Sequence, residues 1–269
     1  MKIYPRALTI AGSDSGGGAG IQADLKTFSA LRCFGMSAIT ALTAQNTVEV
    51  SGIYPIPPEF TCQQIDAVFT DIGVDAVKIG MLHSPKVIEL VVERLKKYRC
   101  DSIVLDPVMI SKSGDKLLKD DAINTLKQKL IPLATIITPN LPEASVLLGR
   151  PVQTMDDMYG ACRGLSLLGC DNILLKGGHL TGDKSIDLFY SRTENKIIEL
   201  DQTRIATDNS HGTGCTISSA ITAYLARGND IETSVKKAKE YITGALKAGA
   251  KYRTGKGHGP VHHFYMFWE

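Results

Sequence analysis

Residues 211–215 bring together a histidine, two glycines, a threonine and Cys215 at the point where an apolar helix pattern begins. Glycines at a helix start leave backbone N–H groups open to an anion, and the same helix end lowers the pKa of a thiol in its first turn. We therefore expect Gly212 and Gly214 to frame an anion hole, with Cys215 as an activated thiol. A cysteine that only packs in the core fits the sequence about equally well.

Three charged residues follow apolar runs that predict buried strands: Asp106, Glu143 and Lys176. Carboxylates at neighbouring strand ends hold Mg²⁺ directly or through water, so Asp106 and Glu143 predict a magnesium site. Each would otherwise serve as a helix cap, because each lies near a predicted helix start. Lys176 stands between an apolar run and two glycines, which favours a phosphate contact over a solvated surface charge.

A second glycine-rich stretch, residues 12–20, follows the first apolar run and precedes a helix pattern. Such a loop suits a phosphate or another closely packed ligand. It is not a P-loop, because the required Lys and Ser/Thr are missing. Residues 18–23 match G-x-G-x-x-A formally, but the second predicted strand ends without an acidic residue to hold a ribose. A dinucleotide-binding protein is therefore a weak interpretation.

These residues need a sheet to bring them together, and short β-branched runs alternate with amphipathic helices along the chain. The early predicted strands are 7–11, 38–43, 76–79, 102–105, 135–138 and 173–175. More polar segments at 187–190, 197–200 and 203–206 predict antiparallel edge strands with a turn at 194–195. The predicted helices are 21–31, one capped by Ser84, one from Thr154 through Leu168, 213–225 and 231–250.

This alternation predicts an α/β fold with a doubly wound, mostly parallel sheet, helices on both faces and an antiparallel edge. Ligands bind such sheets beyond the carboxyl ends of the strands, where the chemically capable residues stand. We find no linker and no repeat, so residues 1–269 are expected to form a single domain.

Composition limits the function classes. The chain has 30 basic and 28 acidic residues, for a net charge of +2, and 43% hydrophobic residues. This balance excludes a disordered protein and gives no reason to expect nucleic acid or a membrane as partner. The six cysteines form no C-x-x-C pair, which disfavours a zinc ribbon or thioredoxin-type site. With neither a signal-peptide pattern nor a membrane-length apolar run, we expect a cytoplasmic protein.

Eight stretches together resemble the ribokinase-like superfamily and, more closely, the hydroxymethylpyrimidine/phosphomethylpyrimidine kinases of thiamine biosynthesis. They are residues 7–14, 17–28, 39–47, 78–82, 138–144, 176–179, 211–216 and 259–264. The resemblance implies a three-layer sandwich, a homodimer, and ATP with Mg²⁺ as cofactors. It also implies phosphorylation of 4-amino-5-hydroxymethyl-2-methylpyrimidine and then of its monophosphate.

The resemblance also implies residue roles. Asn140 and Glu143 match the superfamily's N-x-x-E motif, and Cys215 stands where sugar kinases carry an aspartate base. The implied catalytic residues are Cys215, Gly212, Gly214 and Lys176. Those implied around the pyrimidine are Gln45, which faces the ring, with Gly12, Asp24, Ala19, Gly20, Met81 and Val108. Those implied for ATP are Asn140, Lys176, Asp208 and Thr213, and those for Mg²⁺ are Glu143 and Asp106.

Two other enzymes remain as alternatives. A pyridoxal kinase of the same fold would act on a similar hydroxymethyl group, and a nucleotide-binding dehydrogenase is the alternative from another class. Near the C-terminus, His258, His262 and His263 have spacing that is loosely suited to a metal. We favour a docked tail there, anchored by Phe264, Phe267 and Trp268.

Overall fold

The computed structural model describes residues 2–109, 118, 120–178, 180 and 182–268. The strands are β1 Arg6–Ala11, β2 Phe34–Ile39, β3 Ala41–Gln45, β4 Val50–Pro55, β5 Ala76–Ile79, β6 Ile103–Leu105, β7 Ile136–Ile137, β8 Asn172–Leu175, β9 Lys184–Ser191 and β10 Lys196–Thr203. The α-helices are α1 Gly20–Ala30, α2 Pro58–Ala67, α3 Pro85–Lys97, α4 Asp120–Thr125, α5 Leu141–Leu148, α6 Met155–Ser166, α7 Thr213–Ala226 and α8 Ile231–Gly249. No helix in these ranges is long and apolar enough to cross a membrane.

Eight strands form the main sheet in the order β10-β9-β8-β7-β6-β5-β1-β2. The strands from β2 to β8 along this order pair in parallel, whereas β9 is antiparallel to both β8 and β10. A separate antiparallel pair, β3 and β4, stands outside this sheet. The predicted parallel sheet with an antiparallel edge is confirmed.

Successive residues of the central strands point to opposite faces and enter two different hydrophobic clusters. On β6, Ile103 and Leu105 pack with residues of α2–α6, whereas Val104 packs with residues of α1, α7 and α8. Strands covered on both faces need apolar side chains at every position, which explains the continuous apolar runs in the sequence. The helices therefore form two layers around the sheet, as the resemblance implied.

Two strand predictions are wrong. Residues 38–43, expected as one strand, belong to β2 and β3 in different sheets. The chain turns at buried Thr40, whose N–H donates to the Ala11 carbonyl and whose hydroxyl donates to the Met81 carbonyl. Of the segments 197–200 and 203–206, expected as two strands, the first lies within β10, whereas the second contributes only Thr203, where β10 ends.

The predicted helix caps are confirmed. Ser84 accepts a hydrogen bond from the Val87 N–H at the start of α3, and a proline follows it at the first helical position. Thr154 and Asp157 form a reciprocal capping box at the start of α6, so two N–H groups that lack helical partners are satisfied. The turn at residues 194–195 also lies where expected, with Asn195 at φ 47°.

The chain returns to the N-terminal half through residues 255–260, here called the C-terminal strap. The N–H groups of Lys256 and Gly257 donate to the Thr47 hydroxyl at 3.2 and 3.1 Å, and the His258 N–H donates to the Thr47 carbonyl at 3.0 Å. A side chain at Gly257 would collide with that carbonyl. The strap therefore holds the turn between β3 and β4 through backbone contacts that require glycine.

Candidate functional site

The carboxyl ends of β1, β5, β6, β7 and β8 open into one cavity of about 990 Å³. Fourteen of the sixteen residues predicted for the site line it. They are Gly12, Ala19, Gly20, Gln45, Met81, Asp106, Val108, Asn140, Glu143, Lys176, Gly212, Thr213, Gly214 and Cys215. The rule that open α/β sheets bind ligands beyond their strand ends thus describes this chain.

Lys176 and Asp106 form an ion pair at the centre of the cavity floor. The lysine Nζ lies 3.0 Å from Asp106 Oδ1, with the two side chains 15% and 3% exposed. Burial opposes the charge of Lys176, but the neighbouring carboxylates outweigh it and raise the pKa of the ammonium group. Asp106 also accepts a hydrogen bond from the Thr138 hydroxyl at 3.1 Å. Lys176 is therefore a fixed cation at the end of β8.

Glu143 serves both as a helix cap and as an acidic group of the cavity. One carboxylate oxygen accepts the Asn140 N–H at 2.8 Å, and the Asn140 side chain accepts the Glu143 N–H at 2.9 Å. The capping interpretation is thus correct for this residue. Burial, with the nearby charge of Asp106, raises the pKa of Glu143 to about 7. The carboxyl is therefore close to its titration point at neutral pH.

The start of α7 forms a concave opening that faces this ion pair. Gly212 has φ 78°, and a side chain there would collide with the Gly18 carbonyl. No side chain caps α7, so N–H groups of its first turn are left for another acceptor. A Cβ added at Gly214 would lie 3.2 Å from Lys176 Nζ. The glycines thus let the helix start approach both the 12–20 loop and the catalytic lysine candidate.

Cys215 lies at this opening, but its thiol is not activated in the way the sequence predicts. Burial raises the pKa of the thiol to about 11, although the charge of Lys78 and a backbone contact with Gly20 act in the opposite direction. The expected lowering by the helix end is wrong, because desolvation of the thiolate outweighs the favourable field. The thiol is partly exposed to the cavity and otherwise surrounded by protein.

Asp24 lies behind the cavity and not in its wall. Its carboxylate is fully buried and accepts hydrogen bonds from Thr9 at 2.6 Å, Lys78 at 2.8 Å and Ser219 at 2.6 Å. Its burial and these three donors keep it out of the cavity wall, so the structure does not bring Asp24 to the implied pyrimidine site. Asp24 instead compensates the buried ammonium group of Lys78, which does line the cavity.

Asp208 also stands outside the cavity wall, so the structure does not support its implied ATP contact. Its side chain is exposed, and its carbonyl accepts the Ser210 N–H at 2.9 Å. The residue serves the loop that leads into α7. Thr213, in contrast, lines the cavity as expected.

The glycine-rich loop 12–20 wraps a carboxylate of its own chain. Asp14 accepts N–H groups from Gly16, Gly18 and Ala19 at 2.8–3.1 Å, and a histidine nitrogen, His211 Nε2, at 2.8 Å. The prediction that this loop cradles a phosphate is wrong at those three N–H groups, because they already have an acceptor. The loop is instead tied to the residue before the anion hole.

Gln45 lies at the end of β3 with its amide in the cavity wall. The two ends of the amide lie 3.3 Å from the Thr43 hydroxyl and 3.4 Å from His211 Nε2. Gly12 and Met81 line the same end of the cavity, and a Cβ added at Gly12 would lie 2.7 Å from the Met81 methyl group. We call this end of the cavity, lined by Gln45, Gly12 and Met81, the slot at the end of β3.

The sequence reasoning missed residues at the opposite end of the cavity. Asp187 on β9 accepts the Gly177 N–H at 2.9 Å and pairs with Lys239 of α8 at 2.8 Å, with both side chains 7% exposed. This pair fixes the backbone that follows Lys176. The signal was Lys239 itself, a charge within the apolar stripe of α8 that includes Val235 and Ile242.

The C-terminal residues dock as expected, and of the three predicted anchors Phe264 packs against the hydrophobic cluster that contains Val104. Val261 and His263 are buried, whereas Phe267 and Trp268 are largely exposed and only Phe264 stacks on the tryptophan ring. Burial lowers the pKa of His263 to about 3, and its ring lies 3.1 Å from the Thr216 hydroxyl. Within the described ranges, no group of three metal-ligating side chains forms.

Comparison with known proteins identifies the family. A family model described as phosphomethylpyrimidine kinase matches residues 14–262. The hydroxymethylpyrimidine/phosphomethylpyrimidine kinase of Escherichia coli is 47% identical over 97% of this chain and 98% of its own. The enzyme of the same name from Bacillus subtilis is 46% identical over 98% of this chain and 96% of its own.

Solved structures agree with this assignment. A phosphomethylpyrimidine kinase from Clostridium difficile is 49% identical, with a TM-score of 0.80 over 91% of this chain and 100% of its own. An ADP complex of Bacillus subtilis pyridoxal kinase is 38% identical, with a TM-score of 0.91 over 98% of this chain and 99% of its own. The ribokinase-like fold and the kinase prediction are thereby confirmed. The chain belongs to the phosphomethylpyrimidine kinase family.

Proposed function

We propose that this chain transfers the γ-phosphoryl group of ATP to the hydroxymethyl group of 4-amino-5-hydroxymethyl-2-methylpyrimidine, and then to the resulting monophosphate. The observation that carries this proposal is the convergence of Lys176 with the glycine-opened start of α7, where a Cβ at Gly214 would lie 3.2 Å from the lysine Nζ. The names of the curated relatives support the choice of the pyrimidine.

The protein acts mainly by positioning the reactants and by neutralising charge on the phosphoryl group, because phosphoryl transfer depends on these more than on covalent catalysis. N–H groups of Gly212 and Gly214 and the Lys176 ammonium surround the place where negative charge develops, so they stabilise the transferring group. Asn140 and Thr213 line the adjoining wall and suit contacts to the other phosphates. Asp187 holds the backbone after Lys176 and keeps the ammonium group in place.

The protein offers few ligands for Mg²⁺, as is usual at nucleotide sites, where phosphate oxygens and water complete the coordination. Asp106 and Glu143 are the carboxylates that act on Lys176, and each already has a protein partner. Mg²⁺ is commonly held by one or two carboxylates together with phosphate oxygens and water. When bound, it would neutralise phosphate charge. Asp106 and Glu143 are the residues that would hold it.

Cys215 is the proposed base for the hydroxyl group. Its pKa of about 11 leaves the thiol mostly protonated at neutral pH, so only a small thiolate fraction accepts the proton. The ammonium group of Lys78, held beneath it by Asp24, favours that fraction. A sulfur at the start of α7 also lies directly beside the N–H groups proposed to bind the phosphoryl group.

The pyrimidine is assigned to the slot at the end of β3. The Gln45 amide offers a donor and an acceptor side by side, as an aminopyrimidine edge requires. Apolar or small residues form the remaining walls of this slot: Gly12, Ala19, Gly20, Met81 and Val108.

A three-substrate assay tests the proposal. ATP consumption is measured with the aminopyrimidine, its monophosphate and pyridoxal, with Lys176→Met as the inactive control. We expect turnover of both pyrimidines and loss of both in the control. Turnover of pyridoxal alone would refute the assignment.

Pyridoxal kinase is the second candidate, and one observation favours it. A Staphylococcus aureus pyridoxal kinase bound to AMP-PCP and pyridoxal is 34% identical to this chain, with a TM-score of 0.90 over 99% of this chain and 96% of its own. A related protein of the same fold therefore binds pyridoxal together with an ATP analogue. The third arm of the assay measures this activity directly.

We also propose that residues 1–269 form one domain that assembles as a cytoplasmic homodimer. The β3–β4 sheet exposes Leu42 by 43% and Tyr54 by 67%, opposite each other on its outer face, which suits a second copy. All six cysteines are unpaired, which suits a reducing compartment. Sedimentation of the protein gives its mass, and a Leu42→Asp, Tyr54→Asp variant is expected to sediment as a monomer. A monomeric mass for the unmodified chain would refute the dimer.

A further inference from the structure

We propose that the Asp14–His211 pair determines which way round the Gln45 amide faces the cavity, and thereby which hydrogen-bonding edge of a pyrimidine the site accepts. The inference rests on the proposed function, because it takes the ring to bind at Gln45. The proposed phosphoryl transfer gives neither Asp14 nor His211 a role.

Asp14 fixes the position of a proton on the His211 ring. Asp14 is buried, and burial opposes its charge, but His211 and the N–H groups of Ala19 and Gly16 outweigh this and lower the pKa of the carboxyl. An ionised carboxylate can only accept hydrogen bonds. His211 Nε2 lies 2.8 Å from Asp14 Oδ2 and therefore carries a proton. Gly18 lets the His211 ring lie this close to the loop, because a Cβ added there would lie 2.4 Å from the ring Cδ2.

His211 decides which end of the Gln45 amide can face it. That end lies 3.4 Å from the protonated Nε2. Nε2 donates its single proton to Asp14 and has no lone pair left, so an NH₂ group at this place would face an N–H group that cannot accept from it. The partners of an amide decide which end is oxygen, because the two ends have the same shape. The amide oxygen is therefore on the His211 side, which turns the amide by about 180° relative to its placement in the structure.

Thr43 gives the same answer independently. Its hydroxyl donates its single proton to the Ser13 carbonyl at 2.9 Å. It can therefore only accept from the other end of the Gln45 amide, 3.3 Å away. That end must be the NH₂ group. Two groups on opposite sides, the His211 Nε2–H, which cannot accept, and the committed Thr43 hydroxyl, which can only accept, thus select one orientation of the amide.

The orientation has a consequence for substrate choice. After these two contacts the amide keeps one free lone pair on the His211 side and one free N–H on the Thr43 side. An aminopyrimidine edge offers an amine donor beside a ring-nitrogen acceptor, which pairs with this arrangement. A pyrimidinone edge offers the reverse, a carbonyl acceptor beside an N–H donor. To accept it, the amide would have to turn and lose both protein contacts.

A purely structural role for the pair makes a different prediction. If Asp14 and His211 only tie the 12–20 loop to α7, their loss lowers activity towards every substrate by a similar factor. If they orient the amide, their loss lowers the preference between the two edges. The ratio of kcat/KM for the amine to kcat/KM for its 4-oxo counterpart separates the two roles.

The experiment measures this ratio from ATP consumption in the unmodified chain, His211→Leu and His211→Gln. We expect the unmodified chain to prefer the amine by at least about 100-fold, because a site built around polar groups rejects a mismatched edge strongly. In His211→Leu the ratio should fall by about 10-fold or more, the scale of one mispaired hydrogen bond. His211→Gln, which restores a donor near Nε2, should recover most of the ratio.

Thr43→Val and Thr43→Ser form a second, independent pair in case the histidine variants fold poorly, as judged by thermal unfolding. The valine variant should also lower the ratio, and the serine variant should keep it. An unchanged ratio in both His211→Leu and Thr43→Val overturns the inference alone. An unmodified chain that turns over neither pyrimidine overturns the proposed function and the inference with it.

Discussion

If Cys215 is the base, the reaction rate should depend steeply on pH. A thiol with a pKa of about 11 is ionised at pH 7 in only about one molecule in 10⁴, and this fraction rises tenfold with each pH unit. If the thiolate is the base, kcat/KM for the pyrimidine rises by about 100-fold between pH 7 and pH 9. Cys215→Ala removes the base and should reduce turnover by about 10²-fold or more.

Two variants make the test specific. In Cys215→Ala the residual rate should lose its slope over this pH range. Cys215→Asp, which places the superfamily's carboxylate at the same position, should retain more activity than the alanine variant and show a nearly flat profile, because a carboxylate is already ionised. The assay is steady-state ATP consumption with saturating ATP and varied pyrimidine. A flat profile for the unmodified chain, or near-normal turnover in Cys215→Ala, would refute the reasoning.

Three further predictions follow from the site. Gln45→Ala should raise KM for the pyrimidine by about 10-fold or more while KM for ATP changes little, since one ring contact is lost; equal changes in both constants would contradict ring recognition. Lys176→Met should reduce turnover by about 10²- to 10³-fold, which is the scale for loss of a charge-stabilising donor. Lys184→Met is the control and should leave turnover unchanged, because the Lys184 side chain is 64% exposed in a surface ion pair. Because the folded-state pKa of Glu143 is raised to about 7, its neutral form stabilises the fold below about pH 4.5, and this contribution of about 3 kcal/mol is lost as pH rises through 7. Urea unfolding should therefore show Glu143→Gln gaining stability over the unmodified chain between pH 5 and pH 8, and a pH-independent difference would contradict the raised pKa.

Local patterns predicted the parts of this fold that local physics determines. The parallel strands appear as apolar runs because both faces of the sheet are covered, and Ser84 and Thr154 cap helices with atoms only three residues away. The sharp turn at Thr40 could not be predicted this way. It depends on acceptors at Ala11 and Met81, which come close only after β1 and β5 have paired with their neighbours.

In the candidate site, too, some features follow from local sequence and others depend on tertiary contacts. Residues that directly follow strands, such as Asp106 and Lys176, reach the cavity because strand direction alone places them there. Asp24 lies on α1, where one helical turn separates the cavity wall at Gly20 from the buried interface with α7. The thiol pKa of Cys215 also depends on tertiary burial, which the helix-start pattern does not contain.

The C-terminal strap also affects the order in which contacts can form during synthesis of the chain. Its hydrogen bonds with Thr47 join residues 209 and 210 positions apart in the chain. At a synthesis rate of about 5–20 residues per second, the strap is made about 10–40 s after its partner. During that interval the turn of the β3–β4 hairpin lacks the contacts with the strap, and Gln45 beside it is held through its backbone by Ser15. The β3–β4 turn therefore gains these hydrogen bonds only after residues 256–258 have been synthesised.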